Sequence, residues 1–545
     1  MRRIAAMMVA AALLLATAGV GASEASPTVD KRQQTEAGYQ PPPITWRACD
    51  DERFTQWGMV CGTLTVPLDY SKPRGAKIRL AVSKLPHRSS AKDYQGIMLV
   101  NPGGPGGSGL SLAVLGIGSI IPGNGDDDYD WIGFDPRGVG DSEPALSCDS
   151  GYFGYNRPNY VPTTGKIERA WLTKSARYAA DCRRSEARRL LGHMTTRDTV
   201  ADMDSLRRAL GQKQINFYGF SYGTYLAQTY ASLHPNQVRR FVMDGNVDPR
   251  GVWYEDNLGQ NHAFETTINV WFGWLAKHND VFGLGDNADV VAAGYYRQLA
   301  ELDKSPALGV IGPSELNDVL VGAGYYVYDW VGLGEAYAAL VNENDPTLIK
   351  AYYDDANPQT EGSDNGYAVY LGVQCTDAAW PQRWSQFRLD SWRSFATAPF
   401  LTWNNTWFNA PCLSWPAKSG KPIKVDGRKV SSKILLISET LDPATPYAGS
   451  LEVRRLFPSA SLIEGVGGTT HSGSLSGVEC TDNAIGAYLE DGTVPTRRPG
   501  NRSDLQCPPV PQPDPTADAR VRQQTPDRDQ QIRDLLRKTL EDAQR

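Results

Sequence analysis

Ile215-Asn216-Phe217-Tyr218-Gly219-Phe220-Ser221-Tyr222-Gly223-Thr224 decides how this chain is read. An apolar, aromatic run of strand character ends in Gly-x-Ser-x-Gly. Tyr225, Leu226, Ala227, Gln228, Tyr230 and Leu233 then continue as a helix. A serine at the apex of a strand-to-helix turn is a nucleophile elbow, in which bulky neighbours would clash and glycines relieve the clash. A helix starting just after Ser221 also aims its unpaired N–H groups and positive dipole end at the serine. In a chain with 53 glycines such a pattern can be an ordinary flexible turn, but this is its only occurrence, and strand and helix lie on the correct sides.

Upstream, Gly96-Ile97-Met98-Leu99-Val100 has the continuous apolar character of a strand buried in a parallel sheet. It runs into Asn101-Pro102-Gly103-Gly104-Pro105-Gly106-Gly107-Ser108-Gly109, a loop whose backbone can approach a ligand closely. Oxyanion stabilisation needs backbone N–H donors in such a place, and the pattern points to those of Tyr222 and Gly104. A phosphate loop is the alternative, but no Gly-x-x-x-x-Gly-Lys-Ser/Thr is present and the loop has no lysine. The turn Asp135-Pro136-Arg137-Gly138-Val139-Gly140-Asp141-Ser142 follows another strand, and Asp135 with Arg137 is expected to be a structural ion pair shaping that loop. Alternating runs at 61–67 and 77–82 predict an antiparallel edge with one wet face. A helix is expected over 199–210, with Val200, Met203, Leu206 and Leu210 at helical spacing, and a strand over 238–244.

From about residue 251 to 430 the strand-helix rhythm breaks into an aromatic-rich, mostly helical segment, which reads as a cap inserted into the sheet. The sheet pattern resumes at Lys433–Ser438, followed by Asp442-Pro443-Ala444-Thr445-Pro446. It resumes again at Ala460–Glu464, followed by Gly467-Gly468-Thr469-Thr470-His471-Ser472-Gly473. A serine needs a base to take its proton, and a third group to hold that base in the right tautomer. His471 is the only histidine after His278, and Asp442 is an acid directly beyond an apolar strand, so the chain order Ser221, Asp442, His471 is that of an α/β-hydrolase triad. His234 and His262 also follow the serine, one just after the elbow helix and the other near the start of the cap. Thr445 is placed to hydrogen-bond within the acid loop. The fold expected is α/β: a mostly parallel sheet flanked by helices, carrying a large helical cap.

The chain has 545 residues, 41% hydrophobic and 21% charged, with a net charge of −6. That is globular composition, and without a basic stripe it offers no footprint for nucleic acid. Arg2 and Arg3 precede an apolar run from Ile4 to Val20, so residues 1–22 read as a cleaved export signal, too short and too weakly flanked for a membrane span. The mature chain is then expected to be secreted, without membrane attachment. Eight cysteines fit an oxidising compartment, and pairing along the chain suggests Cys49–Cys61, Cys148–Cys182, Cys375–Cys412 and Cys480–Cys507. With no Cys-x-x-Cys and six histidines in all, neither a metal nor another cofactor is indicated. The expected segments are a lead-in at 23–43, a first core part at 44–250, the cap at 251–430, a second core part at 431–507, and a proline-rich, charged tail at 508–545, with an exposed helix after Thr525.

The motifs around Gly103-Gly104, Asp135-Pro136-Arg137, Gly219-Phe220-Ser221-Tyr222-Gly223 and Asp442-Pro443-Ala444-Thr445-Pro446 resemble the secreted actinobacterial tripeptidyl aminopeptidases, α/β-hydrolase serine peptidases related to the proline iminopeptidases. The resemblance runs from about Ile44 to Cys507. It implies a peptidase acting on peptide or protein N-termini and releasing short peptides, typically three residues long. Such an enzyme should meet the substrate ammonium with a cap carboxylate, for which Glu335 and Asp377, both among aromatic residues, are the candidates. Thr470-His471-Ser472 departs from the Gly-His-Gly often seen in the family, which bears on the backbone of that loop. A secreted carboxylesterase and a non-catalytic binding protein on the same scaffold are the competing readings.

Overall fold

Val60–Pro67 (β2) and Lys77–Leu85 (β3) pair antiparallel, with the two-residue strand Arg47–Ala48 (β1) on the outer edge of β2. Alternate residues of β3, among them Ile78 and Leu80, turn inward, so this end of the sheet has one wet face. The structure, a computed structural model, describes residues 38–117, 120–123, 125–517 and 527–544. The candidate signal and the lead-in up to residue 37 lie outside the described residues. Among the described residues ten strands form one sheet in the order β1-β2-β3-β5-β4-β6-β7-β8-β9-β10. Beyond the antiparallel contact of β3 with Asp130–Phe134 (β5), the remaining pairs are parallel: Ile97–Asn101 (β4), Ile215–Phe220 (β6), Val238–Asp244 (β7), Ile434–Glu439 (β8), Ala460–Gly465 (β9) and Leu505–Cys507 (β10).

The central strands β4, β6, β8 and β9 are buried along their whole length, as unbroken apolar runs between two helical layers must be. Their residues alternate between two cores. Leu99 and Phe217 pack with Met203, Leu206 and Leu226 on one face, whereas Val100 and Phe220 pack with Leu112, Leu115 and Tyr488 on the other. Between β7 and β8 the chain forms a run of helices, from Tyr254–Lys277 to Thr402–Asn409, with an apolar cluster of its own around Trp271, Trp330 and Leu333. The loops after β4, β6, β7, β8 and β9 leave the carboxyl ends of adjacent strands, where parallel sheets place their sites.

Four disulfides join the sequence-neighbour cysteines, Cys49–Cys61, Cys148–Cys182, Cys375–Cys412 and Cys480–Cys507. Among the described residues no helix is long and apolar enough to cross a membrane. Asp135 and Arg137 are structural, but they do not pair with each other. Arg137 is bidentate to Asp202 at 2.7 and 2.8 Å, while Asp135 accepts from Ser108 Oγ at 2.6 Å and the Asp141 amide at 2.9 Å. Gly138 and Gly140, both at positive φ, turn the loop back over the Asp135 carboxylate and leave the guanidinium to the neighbouring helix. The chain after Cys507 also differs from the expected solvated tail. Its helix, Arg528–Asp542, buries Ile532, Leu536 and Leu540 in the sheet-side core, because these three residues recur every fourth position and make an apolar stripe on an otherwise charged helix.

Candidate active site

Ser221 stands at the apex of the turn with φ +53° and ψ −125°, a backbone conformation that only a tightly specified loop holds for a non-glycine residue. Its amide donates to Asp244 O at 2.9 Å, tying the elbow to the end of β7, and its carbonyl accepts from Thr224 Oγ1 at 2.7 Å. The elbow helix, Tyr222–Leu233, starts at the next residue. The glycine loop lies against it: a Cβ on Gly103 would stand 2.8 Å from Ser221 Cβ and 3.0 Å from the Tyr222 amide nitrogen, so a side chain at 103 would push the loop off the serine. Gly104 lines the same cavity as Ser221 and Tyr222.

Asp442 and His471 are buried side by side, with His471 Nδ1 at 2.9 Å from both carboxylate oxygens. The Ala444 and Thr445 amides donate to Asp442 Oδ1 at 3.0 and 2.9 Å, and Thr445 Oγ1 donates to Oδ2 at 2.9 Å. These contacts set the plane of the carboxylate and leave Nδ1 as the donor nitrogen. His471 Nε2 is buried and has no hydrogen-bond partner among the described residues. Ser221 and His471 adjoin successive residues at the end of β7: the serine amide bonds Asp244 O at 2.9 Å, and a Cβ on Gly245 would stand 3.0 Å from His471 Cε1.

Two further acids hold the histidine loop. Asp244 Oδ2 accepts from the Ser474 amide at 2.8 Å, and burial pushes Asp244 up to about 6. Glu439 accepts the Thr470 amide at 2.8 Å and the Val510 amide at 2.6 Å, and burial pushes it up to about 8. From the cap, Tyr325 O accepts the His471 amide at 2.9 Å, and the Tyr325 and Tyr326 rings lie 5.9 and 6.4 Å from the imidazole. Ser472 has φ +54°, so where the family often has glycine, this chain places a serine in the left-handed region.

Ser221 and Tyr222 of the elbow, Thr445 of the acid loop, and Tyr325 and Tyr326 line a cavity of about 830 Å³ between the sheet and the cap, within the range of small-molecule pockets, while Asp442 and His471 are buried and not part of its lining. Ser221, Tyr222 and Gly104 form its floor, and Tyr325, Tyr326 and Tyr370 are among the cap residues that close over it. Neither Glu335 nor Asp377 lines it. Glu335 is exposed on the helix Trp330–Ala338. Asp377 lies behind Tyr222, accepting from the Thr196 amide at 2.7 Å and from Trp253 Nε1 at 3.3 Å, with its carboxyl pushed up to about 7 by burial. Asp377 therefore packs the elbow from beneath. Among the carboxylates that do line the cavity, Asp256 is distinctive: Oδ2 is buried without a hydrogen-bond partner among the described residues, and burial, then Asp248 and Glu255, push it up to about 8. Asp256 opens the long helix Tyr254–Lys277, where acidic residues are ordinary first-turn helix formers, so its local sequence carries no functional signal. His234 packs against Tyr230 with the two rings tilted, His262 approaches Ser394 at 3.5 Å, and neither lines the cavity. Among the described residues no group of three or more His, Cys, Asp or Glu could hold a metal ion.

Residues 96–297 match the family model for the α/β-hydrolase fold, and residues 398–507 match that for TAP-like proteins. A tripeptidyl aminopeptidase of Streptomyces lividans is 36% identical over 474 residues, covering 86% of this chain and 87% of the relative. The serine protease Hip1 of Mycobacterium tuberculosis is 27% identical over 482 residues, covering 83% and 90% respectively. A carboxylesterase B of Mycobacterium tuberculosis is 28% identical over 468 residues, covering 82% and 86%.

Proposed function

The chain belongs to the tripeptidyl aminopeptidase family of α/β-hydrolase serine peptidases, and from that premise we propose that it cuts peptide bonds close to a free N-terminus and releases short peptides, chiefly tripeptides. The observation that carries the reading is the buried Asp442–His471 pair set at the same strand end as Ser221, on its strained elbow. In this mechanism Ser221 Oγ attacks the scissile carbonyl carbon while His471 Nε2 takes its proton. Asp442 holds the Nδ1 proton and so keeps Nε2 free to accept. The oxyanion of the tetrahedral intermediate meets the N–H groups of Tyr222 and Gly104. The His471 proton then passes to the departing amine, leaving an acyl-enzyme that water hydrolyses by the same sequence.

An ammonium buried in the cavity needs an opposite charge beside it. We assign that role to Asp256, a carboxylate of the cavity lining whose Oδ2 is buried without a hydrogen-bond partner among the described residues. One helical turn further on, Gln260 donates to Ala444 O at 2.8 Å, which sets this helix against the acid loop. The apolar segment at residues 4–20 and the four disulfides support export to an oxidising compartment.

Assaying a chromogenic tripeptide amide, its N-acetylated form and a short-chain nitrophenyl ester side by side tests the reading. Turnover of the free peptide with loss of the acetylated one is expected. Equal turnover of both, with the ester preferred, would move the assignment to a carboxylesterase.

A further inference from the structure

The helix Arg528–Asp542 lies far along the chain from the histidine segment, and yet it reaches the glycine loop. Asp527 caps it, accepting from the Gln530 amide at 2.8 Å. Ile532, Leu536 and Leu540 enter the apolar cluster that also holds Val100 of β4 and Phe220 of β6. Thr539 Oγ1 meets Ser111 Oγ at 2.8 Å, just beyond the glycine loop, and Lys538 Nζ reaches Asp355 Oδ2 of the cap at 3.2 Å. Arg537 lies over the Tyr328 ring at 4.3 Å. The end of the helix touches the loop itself: the Ala543 carbonyl oxygen lies 2.9 Å from where a Cβ on Gly104 would stand, and Ala543 Cβ lies 2.5 Å from where one on Gly107 would. Lys538, Glu541, Ala543 and Gln544 all line the catalytic cavity, and Gln544 Nε2 is buried with no partner among the described residues.

We infer that this C-terminal helix is a fixed wall of the substrate cleft and that Lys538, Glu541 and Gln544 on it determine which peptide fragments are accepted, in length and in charge. The inference rests on the peptidase reading. The helix is fastened at both edges of the cleft, to the core through Ser111 and to the cap through Asp355. Its apolar stripe is as buried as the strands it covers, which distinguishes a built wall from a loosely seated plug. Two glycines of the oxyanion loop have a second use in this arrangement: without side chains, they leave the room that Ala543 fills. A peptide lying along the glycine loop therefore meets the end of the helix, where the cation of Lys538, the anion of Glu541 and the side chain of Gln544 line the cleft.

The test compares the full chain with a chain ending at residue 517, which keeps the bonds from the Val510 amide to Glu439 and from Trp274 to Pro513 O. A decapeptide with a free N-terminus is digested by each, and the products are weighed by mass spectrometry. The full chain should release tripeptides. The shortened chain should release fragments of mixed length, with kcat/KM for a tripeptide amide at least about tenfold lower. Tripeptides alone, at kcat/KM within about twofold, would overturn the wall, and so would a uniform rise on every substrate, the mark of a removable lid. Should the shortened chain not fold, the full chain carrying Lys538→Ala and Glu541→Ala decides: KM should shift at least about fivefold with altered product lengths, and unchanged KM and products refute the idea. A Ser111→Cys/Thr539→Cys crosslink should leave turnover at the wild-type level, whereas turnover restored only on reduction, beside a wild-type control treated alike, would mean that the helix must open. Failure of the peptidase reading looks different, since the full chain would then release no peptide at all.

Discussion

Replacing Asp442 by asparagine should abolish most of the turnover without unfolding the protein, and the contacts of the carboxylate say why. Oδ1 accepts the Ala444 and Thr445 amides, at 3.0 and 2.9 Å, and neither donor can turn away. In Asp442→Asn the amide oxygen of the new side chain must therefore take that position, which puts its NH2 where Oδ2 faces Thr445 Oγ1 and His471 Nδ1, both at 2.9 Å. The threonine hydroxyl can rotate to accept. His471 Nδ1, at 2.9 Å from both oxygen positions, now meets an NH2 donor at one of them, which favours the tautomer with its proton on Nε2, and in that tautomer Nε2 can no longer act as a base. The same tautomer error in a Ser-His-Asp triad lowers kcat about 10⁴-fold, or roughly 5.4 kcal/mol in the barrier. Stopped assays on a tripeptide amide should show that loss in kcat with KM little changed, and fluorophosphonate labelling of Ser221 should slow in parallel. A variant that folds, as judged by its urea melt, and keeps kcat within tenfold of the parent would refute the orienting role of Asp442.

Ser221→Ala and His471→Ala should each lower kcat on the order of 10⁶-fold, and the double variant little further, since triad members act as a unit. Asp256→Asn should raise KM for a free tripeptide amide roughly 10- to 100-fold, the worth of one charge-assisted contact, and leave ester turnover intact. In the parent enzyme that KM should fall as pH rises toward 8, where Asp256 ionises, and rise again as the substrate amine, with a pKa of about 7.7 to 8, loses its proton; a pH-independent KM in the parent would remove Asp256 from the role. Glu439, pushed up to about 8, keeps in the native state a proton that the unfolded chain has lost, so its contribution to stability is complete below the usual value of about 4.3 and fades as pH rises through 8. Glu439→Gln has one acceptor for two amides and should cost about 1–3 kcal/mol in urea melts at pH 5, with the gap to the parent closing by pH 9. A gap that stays constant with pH would show that Glu439 does not titrate in this range.

The sheet was legible because its inner strands are unbroken apolar runs, each punctuated by glycine or proline where the chain must turn. Asp442 and His471 could be picked out as a candidate acid and base because histidine is scarce after the elbow, and the structure hydrogen-bonds the two. What stayed hidden depended on the direction in which a side chain faces. Aromatic neighbours mark a segment as buried without saying against what, and so they pointed to Glu335, which faces solvent, and to Asp377, which packs beneath the elbow. The C-terminal helix was masked by its charge, since a three-residue stripe is a weak signal in a segment that looks solvated. β10 spans only Leu505–Cys507, too short for any alternation to show.

The three carboxyl groups at the ends of β7 and β8 show the limit of sequence in one place. Asp244, Glu439 and Asp442 all stand at or just beyond an apolar strand, so the rule that singles out one would admit the others. They are told apart by what reaches them. The Asp442 loop folds its own amides and a threonine hydroxyl onto the carboxylate and leaves both oxygens open toward the imidazole. Asp244 and Glu439 instead receive amides from the residues on either side of His471, those of Ser474 and Thr470. Two acids thus fix the backbone of the histidine loop and the third orients its ring. With the loop pinned on both sides, Ser472 can be held at φ +54° without a glycine, and the imidazole keeps its place in a Thr-His-Ser setting.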